Sequence, residues 1–144
     1  AQQQRGEGIA NVMTKNVKWQ SVGDYAADWS ADKAVQFTTD VLTKYGNQIK
    51  SVICDNDDMS SAVQAYCNSV GRKDIVCIGV DGNAGPLAMV KKGALKATVL
   101  QDGAAQVQAA IAMIPDVIAK KAIKKVTMVP FTLITSKNVD KYLK

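Results

Sequence analysis

The stretch Ile75–Val80 (IVCIGV) most restricts what this chain can become. It is a continuous apolar run with no polar alternation. A strand with one solvated face alternates; a strand covered on both faces does not. A sheet covered on both sides needs helices on both sides, and the neighbouring stretches supply them. Ala31–Tyr45 places Ala34, Val35, Val41, Leu42 and Tyr45 at helical spacing, and Gly46-Asn47 ends that helix. Ser51–Cys54 is a compact apolar strand. Residues 57–70 read as a helix with Met59, Ala62, Val63, Tyr66 and Val70 on one stripe, stopped by Gly71. Residues 83–92 form a short helix with Pro86 in its first turn, and Ala97–Leu100 a strand. Residues 103–125 read as a long helix bent or restarted at Pro115. Residues 17–23 have a short β-like rhythm, with Trp19 in the core. Residues 126–135 are extended, with Pro130 pushing them to an edge or crossover, and 137–144 form a helical cap. Strands alternating with helices predict an α/β fold with a doubly wound parallel sheet, a single Rossmann-like lobe.

In such sheets ligands bind at the carboxyl ends of the strands. Those ends carry Asp24 with the following Asp28-Trp29 loop, then Asp55-Asn56, Asp81-Gly82 and Gln101-Asp102. One polar residue at a strand tip is an ordinary cap. A polar side chain at every tip, with a tryptophan, suits a hydroxyl-rich molecule. Asn56 both donates and accepts, and Asp81 accepts from two hydroxyls at once. Asp81 has a competing reading as the N-cap of the helix at Ala84. Trp29 either plugs the core edge or offers a stacking face, and the surrounding carboxylates and amide favour stacking.

Other chemistry is excluded by composition and spacing. The 144 residues contain no histidine, which removes Ser-His-Asp and Cys-His catalysis and the usual zinc sites. From Asp55, the sixth and twelfth positions are Ser60 and Tyr66, where a calcium loop needs Gly and Glu. No metal, cofactor or catalytic residue is therefore expected. Asp57 and Asp58 read as helix-opening carboxylates, favoured by the macrodipole. Glycoside hydrolysis by Asp55, Asp57 or Asp58 is the enzymatic alternative. The three cysteines lack C-x-x-C spacing and read as buried small hydrophobes. Net charge is +5, with Lys120, Lys121, Lys124 and Lys125 crowded together. No aromatic residues interleave with them, so no nucleic-acid partner is expected. No phosphate-cradling glycine motif is present, and no run is long and apolar enough to insert into a membrane.

Six stretches together resemble a known family: RGEGI (5–9), DWSADKA (28–34), CDNDDMSSAVQA (54–65), IVCIGVDG (75–82), VKKGALKATVLQD (90–102) and VPFTLIT (129–135). In order and spacing they are similar to the C-terminal part of type I periplasmic sugar-binding proteins, the receptors of ABC transporters. The resemblance implies ligand contacts at Arg5, Trp29, Asn56, Asp81 and Gln101. It implies a monosaccharide ligand, hinge closure of two lobes, and delivery to a transporter's membrane subunits. It implies a periplasmic or otherwise extracytoplasmic setting, with a lipid anchor as an option for a full-length protein. LacI-type regulators and chemosensory domains share the fold and are the alternative, although this chain has GALKATVLQ where regulators usually carry a proline-rich stretch. The resemblance further implies that 1–101 is a sugar-binding lobe lacking its first strand. Residues 102–125 are then a helical segment expected to pack on an absent N-terminal lobe, and 126–144 a returning strand and cap. The stripe Val107, Ala110, Ile111, Ile114 and Ile118 would face that lobe.

Overall fold

The computed structural model describes residues 2–16 and 18–143. The chain divides into two compact units, residues 1–79 and 80–144. The first holds α1 (Gln2–Met13), α2 (Ala31–Tyr45), β1 (Ser51–Ile53) and α3 (Asp57–Ser69). Strand β2 (Val76–Asp81) runs across the boundary. The second unit continues with α4 (Ala84–Lys91), β3 (Ala97–Leu100), α5 (Gly103–Ile118) and β4 (Thr132–Thr135).

In the first unit β1 and β2 pair in parallel, with Val52 opposite Cys77. Their β–α–β connection is α3, whose start is set by Asn56: its side-chain oxygen accepts from the Met59 amide at 2.9 Å. The buried stripe of α3 is Met59, Ser60, Val63, Gln64 and Cys67, not the expected one, and Val70 is exposed. The stripe is rotated because Gln64 turns inward. Its amide donates to the Ile75 carbonyl at 3.1 Å, and its oxygen accepts from the Cys77 amide at 3.0 Å. One side chain thus ties α3 to backbone groups of β2 and of Ile75 just before it, and a stripe defined by hydrophobicity alone omits it. Replacing Gln64 by leucine strands both backbone groups away from water. The expected cost is about 2 kcal/mol, read as a lower midpoint in urea unfolding with an unchanged slope.

Helix α2 has the predicted limits because both end signals are local. Ser30 accepts from Lys33 N at 3.3 Å, and Gly46 takes φ +53° just past the last turn. Arg72 then fixes the loop after α2. It donates to the carbonyls of Gly46 and Ile49, both at 2.8 Å, and pairs with Asp74. The cysteines Cys54, Cys67 and Cys77 are all free and buried, as expected of small hydrophobes. Burial pushes the Cys54 thiol up to about 12, so it stays protonated and inert at neutral pH.

The second unit packs α4 and the C-terminal turn around Val139 against β3 and β4, burying Leu87, Val90, Leu95, Ala97, Ile134 and Val139. Strands β3 and β4 are antiparallel, with Thr98 opposite Ile134. The sheet is therefore mixed rather than wholly parallel. An antiparallel strand at one side of an otherwise parallel sheet is common in doubly wound folds.

Three further sequence expectations change. Residues 18–23 form no strand, and Trp19 is 55% exposed rather than in the core; Val17, where that expected strand begins, lies outside the described residues. The described ladder of the first unit joins β1 only to β2, so residues 18–23 have no backbone partner there. Helix α5 runs through Pro115 and ends at Ile118, not Lys125. Past it, Lys120 takes φ +54°. Lys120-Lys124 and Lys121-Lys125 would repel at i,i+4 spacing if the helix continued. The final cap is a single 3₁₀ turn, Val139–Lys141, and Lys144 lies outside the described residues.

The face of α5 is largely uncovered. Val107, Ile111, Ile114, Val117 and Ile118 are each about half exposed or more. Beside it, Met113 and Phe131 line a mainly apolar groove of about 370 Å³.

Candidate functional site

Arg5 reaches the first unit's loops from the first turn of α1. Its guanidinium lies over the Trp29 ring, 5.6 Å from the ring centroid. Its Nη1 also donates to the Asp55 carbonyl. Planar guanidinium and planar indole suit this contact. Trp29 is held in a turn by local bonds. Ser30 N donates to the Ala27 carbonyl at 2.9 Å, and Lys33 pairs with Asp28 at 2.7 Å. That turn puts Asp28 at φ +52° and Trp29 at φ +63°, a region costly for a bulky side chain. Trp29 remains 48% exposed, so it is not a plug in the core.

Asn56 is nearly buried at the tip of β1. It, not Asp57 or Asp58, is the N-cap of α3. Its oxygen is committed to the Met59 amide. Asp57 and Asp58 both lie in the first turn, as expected. Asp55 is half-buried. Desolvation holds its carboxyl above the ordinary value; Arg5 opposes that shift and Asp24 adds to it.

In the second unit, Asp81 ends β2 and Gln101 follows β3. The Gln101 amide donates to the Asp81 carbonyl at 3.1 Å, so these two predicted residues sit side by side on adjacent strand ends. Asp81 has φ +134°, a backbone setting that favours glycine. Gly82 follows at φ +78°, and a Cβ there would come within 2.6 Å of Leu100. The tight turn and the close strand crossing both require the glycine. The N-cap of α4 is Asn83, so the capping reading of Asp81 does not hold. Asp102 caps α5, accepting from Ala105 N at 2.9 Å, which separates its structural role from the position of Gln101.

The first unit thus gathers Arg5, Trp29 and the Asp55-Asn56 tip, and the second gathers Asp81 and Gln101. Residue-level reading missed α1 itself. Gly6 and Gly8 lower its helix propensity and none of its residues is buried, so neither composition nor periodicity announces it. It also missed that Asp24 lies beside α1: a Cβ on Gly6 would sit 3.8 Å from Asp24 Oδ2. Among the described residues, no group of three or more His, Cys, Asp or Glu gathers in a metal-binding arrangement.

The profile of the periplasmic binding protein domain family matches residues 1–122. The chain belongs to that family. This periplasmic binding protein domain is 32% identical over 137 residues to the ribose import binding protein of Bacillus subtilis, a match covering 95% of the chain and 44% of that protein. It is 29% identical over 136 residues to the xylitol-binding protein of Mycolicibacterium smegmatis, covering 94% of the chain and 39% of that protein. In three dimensions it resembles a periplasmic solute-binding protein of an ABC transporter from Actinobacillus succinogenes with bound D-allose. The TM-score there is 0.90 at 25% identity, over 97% of this chain and 50% of that one. A solute-binding protein from Agrobacterium vitis with bound D-fucose matches at a TM-score of 0.82 and 27% identity, over 95% and 47% of the two chains. The domain therefore has the type I periplasmic binding protein fold, and it spans about half the length of the proteins it matches or somewhat less. No helix among the described residues is long and apolar enough to cross a membrane.

Proposed function

We propose that this domain forms part of a non-enzymatic receptor for a monosaccharide or closely related polyol, passed on to an ABC transporter outside the cytoplasm. Trp29 stacks on the C–H face of the ring, while Arg5, Asn56, Asp81 and Gln101 bond its hydroxyls. Arg5 and Asp81 supply the charge-assisted bonds. A second lobe completes the pocket and covers the apolar face of α5, and ligand shifts the two lobes toward a closed state.

The observation carrying this reading is where the backbone is strained. Among the described residues the non-glycine positions with positive φ are Asp28, Trp29, Asp81 and Lys120. Two are predicted ligand residues and a third adjoins one. Strain of about 1–3 kcal/mol per residue persists where the surrounding structure holds it for function. The relatives' ligands, ribose, xylitol, allose and fucose by name, are all polyhydroxylated and uncharged, which fits a site built from hydrogen-bonding side chains and one aromatic face.

The test is calorimetry of a full-length protein containing this domain against a panel of pentoses, hexoses, polyols and inositols. One member is expected to bind with Kd in the micromolar range or below, about −8 kcal/mol. A flat response to the whole panel would overturn the proposal.

A further inference from the structure

Trp29 stands in a backbone region that its side chain disfavours, and the residues that put it there have no task in the sugar-site reading. Asp28 and Trp29 follow one another at φ +52° and φ +63°. Ser30 N donates to the Ala27 carbonyl at 2.9 Å and closes a four-residue turn around them. Positive φ at both central positions marks a mirror-image turn, whose central residues are ordinarily glycine, asparagine or aspartate. Asp28 suits that turn. Trp29 does not, because a bulky side chain at positive φ is an outlier. The turn is pinned at both flanks. Ala27 is buried. Ser30 is the N-cap of α2: its Oγ accepts from Lys33 N at 3.3 Å, and its carbonyl accepts from Ala34 N at 3.0 Å. Lys33 also reaches the centre of the turn, where its Nζ lies 2.7 Å from Asp28 Oδ2. One residue of α2 therefore grips the chain on each side of Trp29, by its backbone N–H on Ser30 and by its ammonium on Asp28.

We propose that Asp28 and Lys33 are positioning residues for Trp29: their ion pair holds the 27–30 turn in its left-handed form and presets the indole for the ring of a sugar. This rests on the sugar-site reading. The pair is well exposed, 52% at Lys33 and 66% at Asp28, so it adds little to the stability of the domain as a whole. Its effect is local. The strained turn competes with relaxed turns of the same four residues, and an ion pair made only in the strained form shifts that balance toward it. A site whose competent form is partly populated binds in proportion to that fraction, so loosening the turn weakens binding without unfolding anything.

The test uses a full-length protein containing this domain, with 5-fluorotryptophan in place of tryptophan. Trp29→Phe identifies the Trp29 fluorine resonance by its loss. Without sugar, that resonance is compared in the parent, Asp28→Asn, Lys33→Met, the double variant and Lys33→Arg. Asparagine also tolerates positive φ, so Asp28→Asn removes the charge and keeps the backbone preference. Both single variants are expected to shift or split the resonance alike, the double variant no further, and Lys33→Arg to restore it. Raising salt from about 0.02 M to about 0.5 M should move the parent resonance toward that of the variants and leave theirs in place. Calorimetry against the panel of pentoses, hexoses, polyols and inositols, with ribose, xylitol, allose and fucose among them, reads the consequence. The member that binds the parent should bind each single variant roughly two- to fivefold more weakly, the range of an exposed pair, and the double variant no more weakly than the singles. The urea midpoint should stay where it is. A Trp29 resonance unchanged in both single variants, or single variants whose effects add in the double variant, overturns the proposal. So does unchanged affinity of the single variants for a sugar that the parent binds. If the resonance behaves as described but no panel member binds, the hold on Trp29 stands and the sugar-site reading fails. If a sugar binds while the resonance ignores the variants, the reverse holds.

Discussion

Alanine at position 81 is expected to weaken binding of the best sugar by about 100-fold or more. A carboxylate accepting from two hydroxyls makes two charge-assisted bonds, each contributing about 1.5–3 kcal/mol. Every 1.4 kcal/mol is tenfold in Kd. The backbone makes a sharper version of this experiment available. Asp81 sits at φ +134°, so glycine in its place removes both the carboxylate and the strain. Asp81→Gly is expected to lose the same affinity as Asp81→Ala while raising stability by about 1 kcal/mol, read as a higher Tm. Calorimetry and thermal unfolding together check it. If Asp81→Gly bound sugar like the wild type, Asp81 would have no ligand role. If it lost affinity and stability together, the residue would be structural. Asn56 does not allow so clean a separation, because its side chain also caps α3. Its alanine variant is expected to lose both binding and about 1 kcal/mol of stability.

The second large effect lies within the first unit, at Gly79. A Cβ there would come within 2.3 Å of Ser60 Oγ, 2.6 Å of Asp57 Oδ1 and 3.0 Å of the Asn56 carbonyl. Ser60 and Asp57 are fully buried. Neither side chain has solvent to move into, and the carbonyl is fixed to the capped start of α3. β2 and α3 would have to part. The expected cost of Gly79→Ala is about 3 kcal/mol, at the upper end for overpacking, and a fall in Tm of about 10 °C. Gly85→Ala is the internal control. Nothing lies within 4 Å of a Cβ at that position in α4, so alanine there gains helix propensity and raises stability by up to about 1 kcal/mol. Equal behaviour of the two variants in urea unfolding would contradict the close approach of β2 to α3.

Gly79 also shows where sequence reading stops. In IVCIGV it looks like a weak spot in a buried strand. Only the packed helix reveals that it is the one residue small enough to let the cap of α3 lie on the strand. Gln64 carries the same lesson from the other side. It is polar and stands outside the apolar stripe, yet it bonds the backbone of Ile75 and of Cys77 in β2. The limits of α2 and β3 were readable because Ser30, Gly46 and the ATVL run act over a few residues. The end of α5 was not, since apolar periodicity continues past Ile118 while repulsion among the following lysines works against it. Among the candidate contacts, Asn56, Asp81 and Gln101 were legible at strand ends; Trp29 lies in a turn that follows no strand among the described residues, and Arg5 was named only through resemblance. The grouping of Arg5 with Trp29 and the Asp55 carbonyl was not legible, because it depends on how α1 lies against two loops distant in sequence.

Local chemistry therefore determined a great deal by itself: an α/β chain, the main helices and strands, and a polar side chain at each strand tip. These follow from periodicity, caps and turn residues, which act over one or two turns of chain. Tertiary structure decided what those tips do. It made Asn56 a cap as well as a candidate contact, strained Asp81 rather than using it as a cap, and set Arg5 over Trp29 with a bond to the Asp55 carbonyl. Such outcomes depend on distances between residues far apart in the chain, and no local propensity encodes them.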